Sequence, residues 1–320
     1  MSSQQTGTEC YKSIGRRFTL EKKLKLILYH KYLYLMLIPV LIWYIIFCYV
    51  PMYGIVISFQ DYSMSKGVFG STFVGLTHFK ELWQDEDFWR AFWNTAIIAV
   101  YRIVIEFPIS IVVALLLNEI RHIKVRKTIQ TIVYLPHFLS WVIVASIFMT
   151  LLSPESGIIN AICTGMGINT PDIISNPNMF RGVLIWSDVW KEAGFSSIIY
   201  VAAMASIDAE LYEATDIDGA SRWQQIWYVT LPGIRNIIVI MFILMLGQVL
   251  TWGFDQVYNF YNPMVYDKGD IIDTYIFRTA LSDNKFSFAA AASMFKSLIC
   301  MTLLVVSNSV VKKLGEESIY

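Results

Sequence analysis

Charge is scarce in this chain: only 16% of its 320 residues are Asp, Glu, Lys or Arg, and 25 acids balance 25 bases. A net charge of zero gives nucleic-acid binding no electrostatic support. The four histidines (His30, His78, His122, His137) are isolated and read as surface or packing residues, with no His-Glu-x-x-His or Gly-x-Ser-x-Gly among the motifs. An enzyme acting on lipid-linked or cell-wall sugars would want one of those or a paired acidic motif. The four cysteines, Cys10, Cys48, Cys163 and Cys300, show neither paired nor metal-ligand spacing. No glycine is followed by lysine, so no Walker A loop exists to hold a nucleotide. The two halves show no inverted self-similarity, which a self-contained secondary transporter would display.

What is present is apolar. Hydrophobic residues make up 56% of the chain and mean hydropathy is +0.51, concentrated in runs that reach the ~20 residues a bilayer crossing needs. The reading is an all-α, polytopic membrane protein with six transmembrane helices. The spans are expected in 32–60, which carries no charge, then near 91–117, 129–152, 182–207, 235–255 and 286–311. Proline and glycine inside them (Pro39, Pro51, Pro108, Pro136, Gly194, Gly247) do not argue against helix, because neighbouring helices satisfy the freed backbone groups. The basic N-terminus runs into an uncharged stretch too long for a signal-peptide core, so no cleavable signal is expected. The organisation follows: a basic N-terminal segment over 1–31, a transmembrane domain over 32–312, and a tail over 313–320.

Lys and Arg counts orient the chain. One side collects fifteen: Lys12, Arg16, Arg17, Lys22, Lys23, Lys25, Lys31, Arg121, Lys124, Arg126, Lys127, Arg222, Arg235, Lys312 and Lys313. The other holds seven: Lys66, Lys80, Arg90, Arg181, Lys268, Arg278 and Lys285. Both termini and the loop over 206–234 are therefore expected in the cytoplasm. Among the outer loops, 61–90 contains His78-Phe-Lys-Glu-Leu-Trp, which predicts a short amphipathic helix, with Trp83, Trp89 and Trp93 at headgroup level.

The 206–234 loop is polar where only a connection is needed. Asp208 can cap a first helix on which Leu211, Ala214, Thr215 and Asp218 share a face. Gly219 permits the positive φ that ends it. Ser221 and Gln224 form a capping box for a second helix, on which Trp223, Ile226 and Trp227 share a face, and Leu231-Pro232 closes it. By periodicity alone this is equally an interfacial helix pair with no partner.

The same residues carry a resemblance. Glu-Ala-Ala-x3-Gly-x9-Ile-x-Leu-Pro is the coupling-loop signature of membrane subunits of bacterial ATP-binding-cassette (ABC) importers. Here Glu213, Ala214, Gly219, Leu231 and Pro232 stand in register, with Thr215 for the second alanine and Val229 for the isoleucine. Tyr34-Leu-Met-Leu-Ile-Pro, Phe73-Val-Gly-Leu-Thr-His-Phe, Phe88-Trp-Arg-Ala-Phe-Trp-Asn-Thr and Tyr134-Leu-Pro-His-Phe resemble permeases of the carbohydrate-uptake class. Trp190-Lys-Glu-Ala-Gly-Phe, Ile198-Ile-Tyr, Phe254-Asp-Gln-Val-Tyr-Asn-Phe-Tyr-Asn-Pro and Ile272-Asp-Thr-Tyr-Ile-Phe-Arg resemble the LplB-type polysaccharide or oligosaccharide permeases.

The resemblance implies a type I ABC importer permease in a bacterial cell membrane. It implies no cofactor of its own and no enzymatic activity, ATP being bound by the partner subunit. It also implies a second homologous permease subunit, an ABC ATPase dimer, an extracellular solute-binding protein and a carbohydrate substrate. Glu213, Ala214, Asp218, Gly219, Leu231 and Pro232 would then carry ATPase coupling.

Charges inside the spans are costly and face a cavity or a partner. Arg102, Lys191 and Lys296 lie about 14–17 Å deep at 1.5 Å per residue. Arg102 and Glu106 are four apart, Asp188 and Glu192 bracket Lys191, and Gln248 and Trp252 are again four apart. Two readings are open: pairing that glues the bundle, or a substrate pathway formed by Asp188, Trp190, Lys191, Glu192, Gln248, Trp252, Tyr258, Asn259 and Lys296. Six charges, three of each sign, leave a neutral and a uronic-acid sugar both open.

Overall fold

The computed structural model describes residues 29–168, 171–248 and 253–313. The basic 1–28 segment, Cys10, Trp252 and the end of the tail lie outside the described residues, as does the side chain of Gln248. Two compact units meet at Val56 and Ile57. The described part of the first is mostly helix α1 (Lys31–Phe59), which carries no charge after Lys31 and whose last residues belong to the second.

In the second unit, strands β1 (Gln60–Asp61) and β2 (Thr72–Phe73) form an antiparallel pair with Gln60 opposite Phe73. Helix α2 (Thr77–Gln84) is the short helix expected in the 61–90 loop; Leu82 is buried and Trp83 exposed. Helix α3 (Glu86–Glu119) is capped by Asp85, whose carboxylate accepts from Phe88 N–H at 2.8 Å.

Helices α4 (Ile123–Phe138) and α5 (Trp141–Leu152) meet at 102°. The third span, expected as one helix over 129–152, is therefore broken. Pro136 cannot donate to the ladder, the chain tightens into a 3-10 turn over Leu135–Phe138, and Leu139 and Ser140 are extended before Ser140 caps α5.

Helix α6 (Ile158–Gly165) precedes the longest central helix, α7 (Pro177–Met204). A 78° bend leads into α8 (Ala209–Ile217), and α9 (Arg222–Gly233) bends by 63° into the next helix. That helix, α10, is described over Arg235–Gln248, within the 235–255 expected for the fifth span. Gly253, at φ +107°, starts a separate helix α11 (Phe254–Phe260), and Asp255 belongs to it. Helices α12 (Ile272–Leu281) and α13 (Phe286–Lys313) complete the order.

By length and composition α1, α3 and α13 cross a membrane alone, and the three bent pairs raise the count to six. Helix α7 is long enough alone but carries Asp188, Lys191 and Glu192 in its middle.

One sequence rule explains the irregular turns. π-Helical turns occupy Ile45–Tyr49, Arg102–Glu106 and Ile226–Thr230. Each ends two residues before a proline: Pro51, Pro108 and Pro232. A helical proline lacks the N–H and crowds the carbonyl four residues back, and widening the preceding turn relieves both.

In lipid, apolar burial does not by itself drive helices together, so close approach of backbones matters more. Gly194 of α7 supplies it: a Cβ there would stand 2.1 Å from the Val133 carbonyl oxygen of α4. Ala114, Tyr200, Met204 and Ile234 form one buried cluster joining α3 and α7 to the start of α10. Ile98, Phe180, Val183, Leu184, Val257 and Phe260 form another around α7 and α11.

Candidate functional site

Two regions hold the residues singled out by sequence. The first is the α8–α9 hairpin. Asp208 accepts from Glu210 N–H at 3.0 Å, capping α8. The helix ends with Gly219 at φ +74°, Ala220 N–H bonding back to the Thr215 carbonyl at 3.0 Å. Ser221 and Gln224 form the reciprocal capping box, with Ser221 N–H donating to Gln224 Oε1 at 2.7 Å.

The hairpin is tied by residues the periodic pattern did not single out. Buried Gln225 donates from Nε2 to Asp216 Oδ1 (2.6 Å) and Thr215 Oγ1 (3.2 Å). The Tyr212 hydroxyl meets Thr230 Oγ1 at 3.0 Å. Thr215, the departure from alanine in the motif, thus anchors one strut of the hairpin.

The expected faces are redistributed. Ile226 is buried while Trp223 and Trp227 are exposed, because the second helix opens into its π-turn at Ile226 and the 3.6-residue period fails there. On α8, Tyr212 and Thr215 face inward, and Leu211, Glu213, Ala214 and Asp218 lie exposed. Gly219 is exposed with nothing near its absent Cβ, Leu231 is half-buried and Pro232 exposed.

The second region is the charged middle of the spans. Arg102 does not settle on Glu106, its neighbour four residues on. Its Nε forms an ion pair with Asp188 Oδ2 at 2.8 Å, and its Nη2 donates to Gln256 Oε1. The π-turn over Arg102–Glu106 rotates the pair off the shared face that i, i+4 spacing assumes. Gln256 donates in turn to the Leu184 carbonyl (2.6 Å) and Ser187 Oγ (2.9 Å), so one network joins α3, α7 and α11.

Beside it, Lys191 Nζ donates to the His137 carbonyl (2.8 Å) and to Glu192 Oε1 (2.7 Å), while Glu192 Oε2 sits 2.6 Å from His137 Nδ1. The His137 ring stacks on Phe195 with centroids 3.7 Å apart. His137 therefore packs as expected, and is also a polar member of the cluster that sequence did not place there.

These groups border a cavity of about 440 Å³ lined by Arg102, Glu106, Trp141, Asp188, Glu192, Ser196, Gly253, Phe254, Asp255 and Gln256. Of the expected pathway residues it gathers Asp188 and Glu192, with Lys191 held behind Glu192. The rest do not form one wall with them. Trp190 is exposed on another side of α7 against Phe148, 5.7 Å between centroids. Tyr258 stacks on Phe254 (5.3 Å), and Asn259 donates to the Asp255 carbonyl (2.7 Å). Lys296 pairs with Asp273 of α12 at 2.5 Å, apart from the cavity. A helix carries about 3.6 residues per turn, so Trp190 and Lys191, adjacent in sequence, point to different sides.

At the end of this bundle reached by α11 and α12, Arg278 Nη2 binds Asp270 Oδ2 at 2.6 Å and its guanidinium lies over the Tyr266 ring. The Tyr261 phenol there is pushed up to about 12, first by burial and then by neighbouring Tyr266.

Residues 106–314 match the family described as binding-protein-dependent transport system inner membrane component. The chain belongs to this family. Among its relatives, the polygalacturonan/rhamnogalacturonan transport system permease protein YteP of Bacillus subtilis is 41% identical over 95% of both chains. Protein LplB of the same organism is 37% identical over 91% of both. Among solved structures, a bacterial alginate ABC transporter in complex with alginate pentasaccharide-bound periplasmic protein superposes with a TM-score of 0.85. It is 38% identical and covers 92% of this chain and 99% of that one. The fold is the type I ABC importer permease fold, and the chain is a membrane transport component and not an enzyme. Among the described residues, no cluster of His, Cys, Asp or Glu has metal-site geometry.

Proposed function

We propose that this permease is a membrane subunit of an ABC importer for oligosaccharides or polysaccharide breakdown products, forming half of a translocation pathway with a second, homologous permease. An extracellular solute-binding protein delivers the sugar, and an ATPase dimer holds ATP on the cytoplasmic side. The excess of Lys and Arg on one side supports cytoplasmic placement of both termini and of the α8–α9 hairpin.

The observation that carries the coupling role is the construction of the hairpin. Internal bonds from Gln225 and Tyr212 make it one stiff piece, its ends are set at 78° and 63° to the spans, and its tip leaves Glu213, Ala214, Asp218 and Gly219 exposed. A stiff lever with an exposed tip passes motion from an ATPase groove to α7 and α10, with Leu231-Pro232 fixing its exit. The polysaccharide names of YteP and of the alginate transporter support a carbohydrate cargo.

The test is ATP-driven sugar uptake into vesicles by the complex carrying Gly219→Pro. Proline fixes φ near about −65°, whereas Gly219 needs φ +74° and donates its N–H to the Asp216 carbonyl at 3.2 Å. Uptake is expected to collapse while the subunits still assemble; intact ATP-driven uptake refutes the hairpin's coupling role.

A further inference from the structure

A different cavity, of about 360 Å³, sits where helix α2 meets α1, α3 and α13. Phe59 closes α1, Phe88 and Trp89 open α3, and Met294, Phe295 and Leu298 come from α13. The other lining side chains, Leu76, Phe79, Leu82 and Trp83, belong to α2 or its entry. None of the ten carries a hydroxyl, carboxamide or charge, and Trp89 Nε1 already donates to the Trp83 carbonyl at 3.0 Å. A water would need about two to four polar partners, and a sugar needs its hydroxyls matched, so the lining suits hydrocarbon. Leu82 and Phe88 are buried, whereas Leu76, Trp83 and Leu298 are exposed and mark the mouth.

One cation stands at that mouth. Lys80 follows Leu76 by four residues and precedes Trp83 by three, so the three share an edge of α2. It is exposed and pairs with no carboxylate among the described residues. The acids nearest in sequence are engaged: Glu81 with His78, Asp85 with the Tyr275 hydroxyl, and Asp87 with Arg90. Glu86 lies in the first turn of α3, where the helix N-terminus stabilises it. An amphiphile offers hydrocarbon and an anion together, and the bilayer is the phase that borders the ends of spans. We propose that this groove is a phospholipid site, one acyl chain lying along the aromatic lining and the phosphate meeting Lys80. The site needs only that α1, α3 and α13 cross the membrane, and is independent of cargo and of ATPase coupling.

The test is photolabelling of the detergent-solubilised permease–ATPase complex with a limiting amount of phosphatidylglycerol that carries a diazirine on one acyl chain. Peptide mass spectrometry should find the label concentrated on 76–89 and 294–298, above the exposed apolar stretch 303–306 of α13. Lys80→Ala should lower that labelling by about fivefold, the effect of one lysine at a lipid headgroup. A diacylglycerol with the same diazirine has no phosphate, so its labelling of the groove should be unchanged by Lys80→Ala. Leu298→Trp, which narrows the mouth from an exposed position, should reduce both probes alike. Label spread evenly over the exposed spans means annular lipid only and overturns the site. So does a groove that crosslinks to the second permease in place of the probe. Phospholipid labelling unchanged in Lys80→Ala, or an equal loss of both probes there, overturns the headgroup assignment and the proposal with it. Sugar uptake does not enter the experiment, so the importer reading stands or falls separately.

Discussion

Replacing Gly194 by alanine tests a helix crossing at which the α7 backbone meets α4 directly. The added Cβ would lie 2.1 Å from the Val133 carbonyl oxygen and 2.6 Å from Val133 Cγ1, where ordinary contacts begin near 3.4 Å. Helices α7 and α4 must therefore separate by roughly 1.3 Å, the difference of those distances, because a backbone oxygen has no rotamer to give. Overpacking of this kind costs about 1–3 kcal/mol. At about 2–4 °C per kcal/mol for a chain approaching this size, Tm should fall by about 2–12 °C.

One turn away, the Lys191 bond to the His137 carbonyl joins the same two helices at 2.8 Å and would stretch past hydrogen-bonding range. Thermal melting of the detergent-purified complex, followed by size-exclusion fluorescence, reads the loss. A second variant isolates the cause. Val133→Ala on top of Gly194→Ala removes the side-chain clash and leaves the backbone one, so it should not restore Tm. Restoration by Val133→Ala, or a Gly194→Ala melt unchanged within a degree, refutes the backbone-contact reasoning.

Gln225→Ala should loosen the hairpin without unfolding the spans. It removes the bonds to Asp216 and Thr215, a loss of about 1–3 kcal/mol for a buried amide, and hydrogen exchange should quicken across 209–230 while α7 stays protected; uniform protection would count against the strut. Alkaline pH should destabilise the α11–α12 end first. The Tyr261 phenol titrates at about 12 when folded and about 10 when unfolded, so stability is full below pH 10 and falls as pH rises toward 12. A chemical-denaturation midpoint that is flat over that window in wild type, or that falls equally in Tyr261→Phe, would contradict it.

Long apolar runs were legible because their length alone signals a span, and the α8–α9 hairpin because capping chemistry is local: Asp208, Gly219, Ser221 and Gln224 each act within a few residues. What escaped were consequences of proline at a distance of one turn. The π-turn before Pro108 redirected Arg102 from Glu106 to Asp188, and the one before Pro232 split Trp223 and Trp227 from Ile226. The break after Pro136 turned one expected span into two helices and brought His137 to Glu192. Partners more than fifty positions apart, such as Gln256 with Ser187, follow from how helices cross and have no local signature.

The hairpin has a cost for the cell that makes it. Ile217, Trp223, Trp227 and Tyr228 are 64–87% exposed on one small polar-rimmed element, more aromatic surface than a solitary chain holds safely in water. A copy without its complex offers that surface to any chaperone, protease or other orphan copy, and binding a partner withdraws it. Overexpressing this subunit alone should therefore shorten its lifetime, so that abundance is set by the scarcest member of the assembly.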